Sequence, residues 1–264
     1  MEILALVILG LCFGSFVNAL VWRIHKNRNF VSERSECTHC HHVLAWYDLI
    51  PVASWVMLRG KCRYCHKKID DSPIVELLTA VVFVASYLAW PFGFETAGLV
   101  LFGFWLIALV LLVALAVYDK RWYLLPNSMV FPLVAVGVAI GVTRFIFVEG
   151  SEVWQALMNM ALGVVVISGL YFALYEYSSG KWVGFGDVKL GLFIGFILGW
   201  QGALLALFLA NFIGLLYVLP LLLLRRVQTS SKIPFGPFLI AASFITFLWG
   251  QQLIDWYLMS IVGI

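Results

Sequence analysis

GFGDVKLGLFIGFILGW, residues 184–200, decides how this chain is read. A polar loop containing Lys181 turns here into an apolar run, and the acid Asp187 stands at the turn. Ionisable side chains at membrane depth are costly and are usually kept for a function. Counted from Val188, the run to Trp200 has 13 residues, about 20 Å of helix at 1.5 Å per residue, which is short for a bilayer. Working outward, apolar runs separated by polar loops fill the rest of the sequence. Hydrophobic residues make up 63% of the 264 and charged residues 12%, against about 25% charged in soluble proteins. The chain reads as an all-α polytopic membrane protein.

Windows of roughly 20 apolar residues give about eight transmembrane helices: 3–22, 75–92, 99–118, 129–147, 153–175, 183–200, 203–224 and 235–257. Lys and Arg set their orientation. With the segment after the first span inside, Arg23 to Lys68, Lys120, Arg121, Lys181, Lys189, Arg225, Arg226 and Lys232 all lie on or near one face. Of the 17 basic residues only Arg144 falls outside. Both termini are therefore expected outside, with Asp119 and Asp187 at the cytosolic face. The first span has no basic residue before it and its charges after it, so it reads as a retained helix rather than a cleaved signal.

That helix carries GSFVNALVWR, residues 14–23. Gly10 and Gly14 form a small-xxx-small pair suited to close helix contact. Asn18 fits either an interhelical hydrogen bond or a ligand contact, and Arg23 fits an interfacial anchor. Cys12, mid-membrane, reads as a small packing residue.

Residues 24–74 form a small domain that needs a staple. The staple is Cys37-x-x-Cys40 and Cys62-x-x-Cys65, separated by 21 residues, a spacing that fits a structural four-thiolate zinc site. A reducing cytosol makes disulfides the poorer explanation. All five histidines lie in the same domain, in positions near the metal shell or solvent. No Walker loop, dinucleotide fingerprint or nucleic-acid patch is present.

Residues 75–264 read as a seven-helix membrane core. Glu76 either sits favourably in a first helical turn or faces an active cavity. Asp119, closing the third span, is either an interfacial anion beside Lys120 and Arg121 or one half of a pair with Asp187. Asp187 is either an N-cap or that second half, with the flanking glycines allowing a strained backbone. Gly191, Gly195 and Gly199 share a helix face that invites close packing and would help bring Asp187 to Asp119. The fourth and fifth spans read as scaffold. IPFGPFL, residues 233–239, is either a rigid turn or a lip that holds substrate backbone.

These segments, together with DLIPVASWVMLRGKC, SPIVELLTA and the D-x6-P of Asp119 to Pro126, resemble in their order the type IV prepilin peptidase family, membrane aspartic peptidases of the GxGD class. CTHC departs from the family's commoner Cys-Pro-x-Cys, and Asn127 stands where the family often has Asp. The resemblance implies a bifunctional enzyme. It would cleave the basic leader of prepilins or pseudopilins after a Gly at the cytosolic face of the inner membrane. It would then N-methylate the new amino terminus with S-adenosylmethionine. By motif position Asp119 and Asp187 would be catalytic, sharing a proton and activating a water. The methyl donor would bind in or beside the cytosolic domain, with Asn18 and Glu76 as candidates. The competing readings are a presenilin-like or signal-peptide-peptidase-like protease, and a zinc-stabilised scaffold or transporter. The zinc domain and the lack of a Pro-Ala-Leu triplet oppose the first, and the paired acids oppose the second.

Overall fold

A computed structural model describes residues 1–29, 34–69, 71–225 and 233–262. Arg226 and Lys232 of the orientation argument lie outside these residues, as do 30–33 and 70 of the cytosolic segment. The described chain is helical apart from two isolated β-bridges. Six helices are long and apolar enough to cross a membrane: Glu2–His25, Thr96–Trp122, Asn127–Val148, Val153–Ser178, Phe185–Leu223 and Gly236–Ser260. Two differences separate this from the eight expected spans. The second is a shorter apolar helix, Ile74–Leu88, ending just before Trp90-Pro91, where proline disfavours helical geometry in the preceding residue. The sixth and seventh run together as one 39-residue helix with a break at Gly199.

The chain forms two compact units. The first comprises Met1–Leu88 and Leu109–Val117, the second Ala89–Ala108 and Tyr118–Ile264.

In the first unit, α1 (Glu2–His25) begins with an acid and ends with Arg23 and His25 in its last turn, which suits the helix dipole. It lies against α3 (Ile74–Leu88) at backbone contact. A Cβ on Gly10 would fall 2.5 Å from Ala80 Cα, and one on Gly14 would fall 2.4 Å from Glu76 Cα. Lipid supplies no hydrophobic drive for helices to associate, so van der Waals contact at small residues carries the pairing. Cys12 is exposed on α1; it does not pack inside, because the α3-facing side of α1 is the Gly10–Gly14 face. Between the two helices lie a 3₁₀ turn, Trp46–Leu49, and α2 (Ala53–Met57).

The second unit is built around α8 (Phe185–Leu223). It meets α5 (Asn127–Val142), α6 (Val153–Val164), the wide π-type turn Val165–Gly169, α7 (Leu170–Ser178) and α9 (Gly236–Tyr257). Gly195 brings α8 to 2.4 Å from Val164 N, measured from the Cβ it lacks, and Gly191 to 3.0 Å from Ser168 Cα. The glycine face thus seats α8 against the fifth span.

At Gly199 the backbone leaves helical geometry with φ 67° and ψ −175°, a conformation that favours glycine. Freed backbone groups inside a membrane must find partners, and two polar side chains supply them. Arg144 donates to Ile197 O at 2.8 Å, and Asn159 Oδ1 accepts from Trp200 N–H at 3.2 Å. Arg144 also pairs with Glu149 at 2.7 Å and lies over the rings of Phe92, Phe145 and Phe247. Arg144, the basic residue expected to fall outside the positive face, is therefore engaged by backbone, carboxylate and rings.

Candidate active site

Asp119 sits in the last turn of α4 (Thr96–Trp122), 6% exposed. The helix stops one turn later, with Tyr123 in the left-handed region and its N–H on Asp119 O at 2.8 Å. Asp119 Oδ2 accepts the Gly236 N–H at 3.1 Å. Gly236 opens α9 with Pro237 beside it, where backbone N–H groups have no intrahelical partner and the helix dipole favours negative charge. The backbone of the IPFGPFL segment thus holds one of the two acids.

Asp187 is 9% exposed and lies at the third position of α8, whose N-cap is Gly184, so Asp187 is not the cap itself. Its Oδ2 reaches back to the Gly184 N–H at 3.2 Å, while its own N–H donates to Gly184 O at 3.0 Å. Gly184 has an ordinary φ of −78°, so the motif's glycines do not store backbone strain here. Gly186 instead provides room: a Cβ there would fall 2.9 Å from Leu125 Cβ. Lys189 turns from the acids to Asn127 Oδ1 at 2.6 Å and over the Phe185 ring.

The two carboxylates lie within electrostatic reach of each other, and Asp187 is within reach of Tyr171. Each buried carboxylate holds one backbone N–H, and carboxyl groups that interact electrostatically can share a proton. Gly236 is the tightest part of this arrangement. A Cβ on it would fall 2.6 Å from Asp119 Oδ2, and the group that must yield is the carboxylate itself. Gly236→Ala is expected to lower the turnover number for the site's reaction about 100-fold, the cost of a misplacement of about 1 Å. Steady-state kinetics beside a melting curve check this, since a purely structural effect would lower the melting temperature in step.

The fifth span, read as scaffold, supplies residues to the site. The wide turn Val165–Gly169 lets Ser168 Oγ donate to Val188 O at 2.8 Å, one residue beyond Asp187. Tyr171, one turn on, is 4% exposed. Nothing in the local sequence marks them, because a tyrosine in an apolar run looks like packing.

In the first unit the four cysteines converge. Their Sγ atoms lie within 4.8 Å of one another, with Cys37 and Cys65 at 3.9 Å. Sulfurs about 2.3 Å from a tetrahedral zinc lie about 3.8 Å apart, so the cluster fits that metal. The two knuckles share one backbone pattern. His41 N–H bonds Cys37 O and Cys37 N–H bonds His42 O; His66 N–H bonds Cys62 O and Cys62 N–H bonds Lys67 O. His41 and His66 both take a left-handed conformation to close these turns. Burial acts to raise the Cys37 thiol, but N–H groups of Cys40 and His39 and neighbouring thiols outweigh it, lowering it to about 6. Burial likewise acts to raise Asp48, yet Arg63 at 2.7 Å, Tyr64 and the Ala45 N–H hold it below the usual carboxylate range. Its contribution to stability is therefore present above the unfolded-state pKa and is lost as pH falls through the depressed folded value.

Glu76 is half-buried and accepts the Val52 N–H at 2.6 Å, with Ser15 as a second hydrogen-bond partner. Asn18, one turn beyond Gly14 on α1, is 7% exposed, and its Oδ1 has no partner among the described residues.

Fold and site together define a class: polytopic helical membrane proteins with a buried carboxylate pair and a four-thiolate cluster. Residues 8–90 match the Bacterial Peptidase A24 N-terminal domain and residues 106–219 the Type IV leader peptidase family. The prepilin leader peptidase/N-methyltransferase of Aeromonas hydrophila is 34% identical over 233 residues, 88% of this chain and 77% of that protein. Its namesake in Stutzerimonas stutzeri is 32% identical over 282 residues, covering 97% and 93%. The Bacillus subtilis (strain 168) protein of that name is 31% identical over 261 residues, 98% of each chain. No solved structure gives a significant match. The chain belongs to the type IV leader peptidase family.

Proposed function

We propose that this enzyme cleaves the basic leader from type IV prepilins or pseudopilins with Asp119 and Asp187, and then N-methylates the new terminus. The observation that supports it most is the pair itself: two buried acids from α4 and α8, each on a glycine N–H, within electrostatic reach of each other. Two like charges this close do not both ionise cheaply, so the pair titrates as one unit holding a proton. The ionised member takes a proton from water as the water attacks the scissile carbonyl, and the protonated member hydrogen-bonds the carbonyl oxygen.

The topology that serves this reaction has eight crossings, with the broken helix at Gly199 counted as two and Ile74–Leu88 as one. Both termini lie outside, and the acids and the cysteine domain face the cytosol of a bacterial inner membrane. The prepilin's apolar helix then docks in lipid among the spans, with its basic leader cytosolic. The working parts are a first helix over residues 1–23, a zinc domain over 24–74 and a peptidase core over 75–264.

Cys37, Cys40, Cys62 and Cys65 would hold a zinc ion, and four thiolates leave it no open position for catalysis. S-adenosylmethionine supplies an electrophilic methyl group when bound. The residues that suit it are Glu76, an anion able to face a sulfonium or ammonium, and Asn18, whose buried Oδ1 lacks a partner among the described residues. Their methyl-transfer task is to orient the donor and the deprotonated α-amine, whose unperturbed pKa is about 8.

The test is mass spectrometry of a cognate prepilin incubated with the purified enzyme and S-adenosylmethionine in lipid. The expected product lacks the leader and carries one added methyl. Cleavage without methylation would leave a peptidase only, and an intact cognate prepilin would overturn the reading.

A further inference from the structure

Tyr171 is a buried tyrosine whose hydroxyl has no hydrogen-bond partner among the described residues. Buried polar groups are nearly always paired, and the exceptions call for an explanation. This one lies where the acids are. Asp187 acts on it electrostatically, and its ring meets Phe235 edge-on at 5.9 Å, next to the Gly236 that holds Asp119. The three residues come from α7, α8 and the start of α9, all within the second unit.

The local backbone is built to present it. The π-type turn Val165–Gly169 ends two residues before Tyr171, and such insertions re-aim the following face and gather at functional sites. Ser168, three residues earlier on the same face, bonds Val188 O at 2.8 Å, so this face is turned to the start of α8. A packing tyrosine at such a place would bond a neighbouring carbonyl. Here Asp187 holds the Gly184 N–H instead, and the hydroxyl is left without a partner among the described residues.

Resting on the aspartyl reading above, we propose that Tyr171 is a further catalytic residue, its hydroxyl donating a hydrogen bond to the scissile carbonyl oxygen. The water oxygen bonds to the carbonyl carbon and its proton goes to the ionised carboxylate. The carbonyl oxygen takes the proton of the other carboxyl, giving a diol. The C–N bond then breaks. The amine nitrogen takes the proton held by the first carboxylate, and one diol hydroxyl returns its proton to the second, restoring the pair. Tyr171 keeps its own proton throughout and stabilises the charge that develops on oxygen in both transition states, in the manner of an oxyanion-hole donor.

The experiment compares Tyr171→Phe, Asp119→Asn and Asp187→Asn with the wild type, full-length in lipid, on a prepilin substrate. Tyr171→Phe is expected to lower kcat about 100-fold with KM unchanged, the size of effect seen on removing one oxyanion donor. Its melting temperature should stay the same or rise, because the change removes an unpaired hydroxyl and keeps the ring. Full kcat in Tyr171→Phe with both Asp variants inactive overturns this inference alone. A rise in KM only, or a loss of melting temperature matching the loss of rate, overturns it in favour of a packing role. Active Asp variants overturn the aspartyl reading and this inference with it.

Discussion

Asp187→Asn is expected to reduce leader cleavage about 10²- to 10⁴-fold, the range for loss of general acid–base catalysis, while the protein folds as well as the wild type. Asparagine keeps the shape and the oxygen that accepts the Gly184 N–H. It removes a buried ionisable group, so nothing is lost that the fold requires. Asp119→Asn should behave alike, since its amide oxygen can still accept the Gly236 N–H. The two changes should not add. Either one alone destroys a pair that shares a proton, and groups acting as a unit are non-additive. The pH profile of cleavage in the wild type should be bell-shaped, with one limb for each macroscopic ionisation of the pair. Cleavage at the wild-type rate by either variant, measured on purified protein by loss of the leader, would end the aspartyl mechanism.

Removal of the metal is expected to unfold the cysteine domain. Between Glu36 and Lys68 the secondary structure is a four-residue 3₁₀ turn, a five-residue helix and two isolated bridges. So little hydrogen-bonded structure, with no large apolar core, cannot repay its chain entropy unaided. Structural zinc supplies about 10–16 kcal/mol of apparent binding energy in comparable small sites. A strong chelator, or Cys62→Ser, should therefore release one zinc per chain and open residues 34–69 to limited proteolysis. Methylation of a pre-cleaved pilin should fall with it, because Val52, which donates to Glu76, is held by the same segment. Cleavage should persist in part, since both acids and Gly236 belong to the other unit. A metal-free protein with unchanged protease resistance would show that the cysteines do not staple this domain.

Much of the site was legible in sequence because its signals are local or categorical. Four cysteines in two C-x-x-C pairs state their partners by chemistry, and the structure brings their sulfurs together. Gly10 and Gly14 state by spacing that a helix backbone comes close, and α3 does. An acid at the edge of an apolar run is conspicuous wherever it lies, which is why Asp119 and Asp187 stood out. Span counting was weaker. Hydropathy sees apolar length, so it separated 183–200 from 203–224 and lengthened the second span. Whether the backbone continues depends on a single φ at Gly199 and on Asn159 and Arg144 reaching it from elsewhere in the chain.

The amino-acid sequence by itself determined the membrane class, the metal-type cluster and the two acids that stand at the edges of apolar runs, because each follows from composition or from residues a few positions apart. Only the tertiary structure decided what holds those acids and what stands beside them. Gly236 lies 117 residues from Asp119, and its role is a close approach between two helices that no periodicity records. Tyr171 and Ser168 are ordinary residues of an apolar helix until a wide turn rotates them to the start of α8. The glycine face of α8, visible as a stripe, found its partner in α6 and the wide turn that follows it. A small-residue stripe specifies how near a neighbour comes; which neighbour comes is settled by the packing of the other helices.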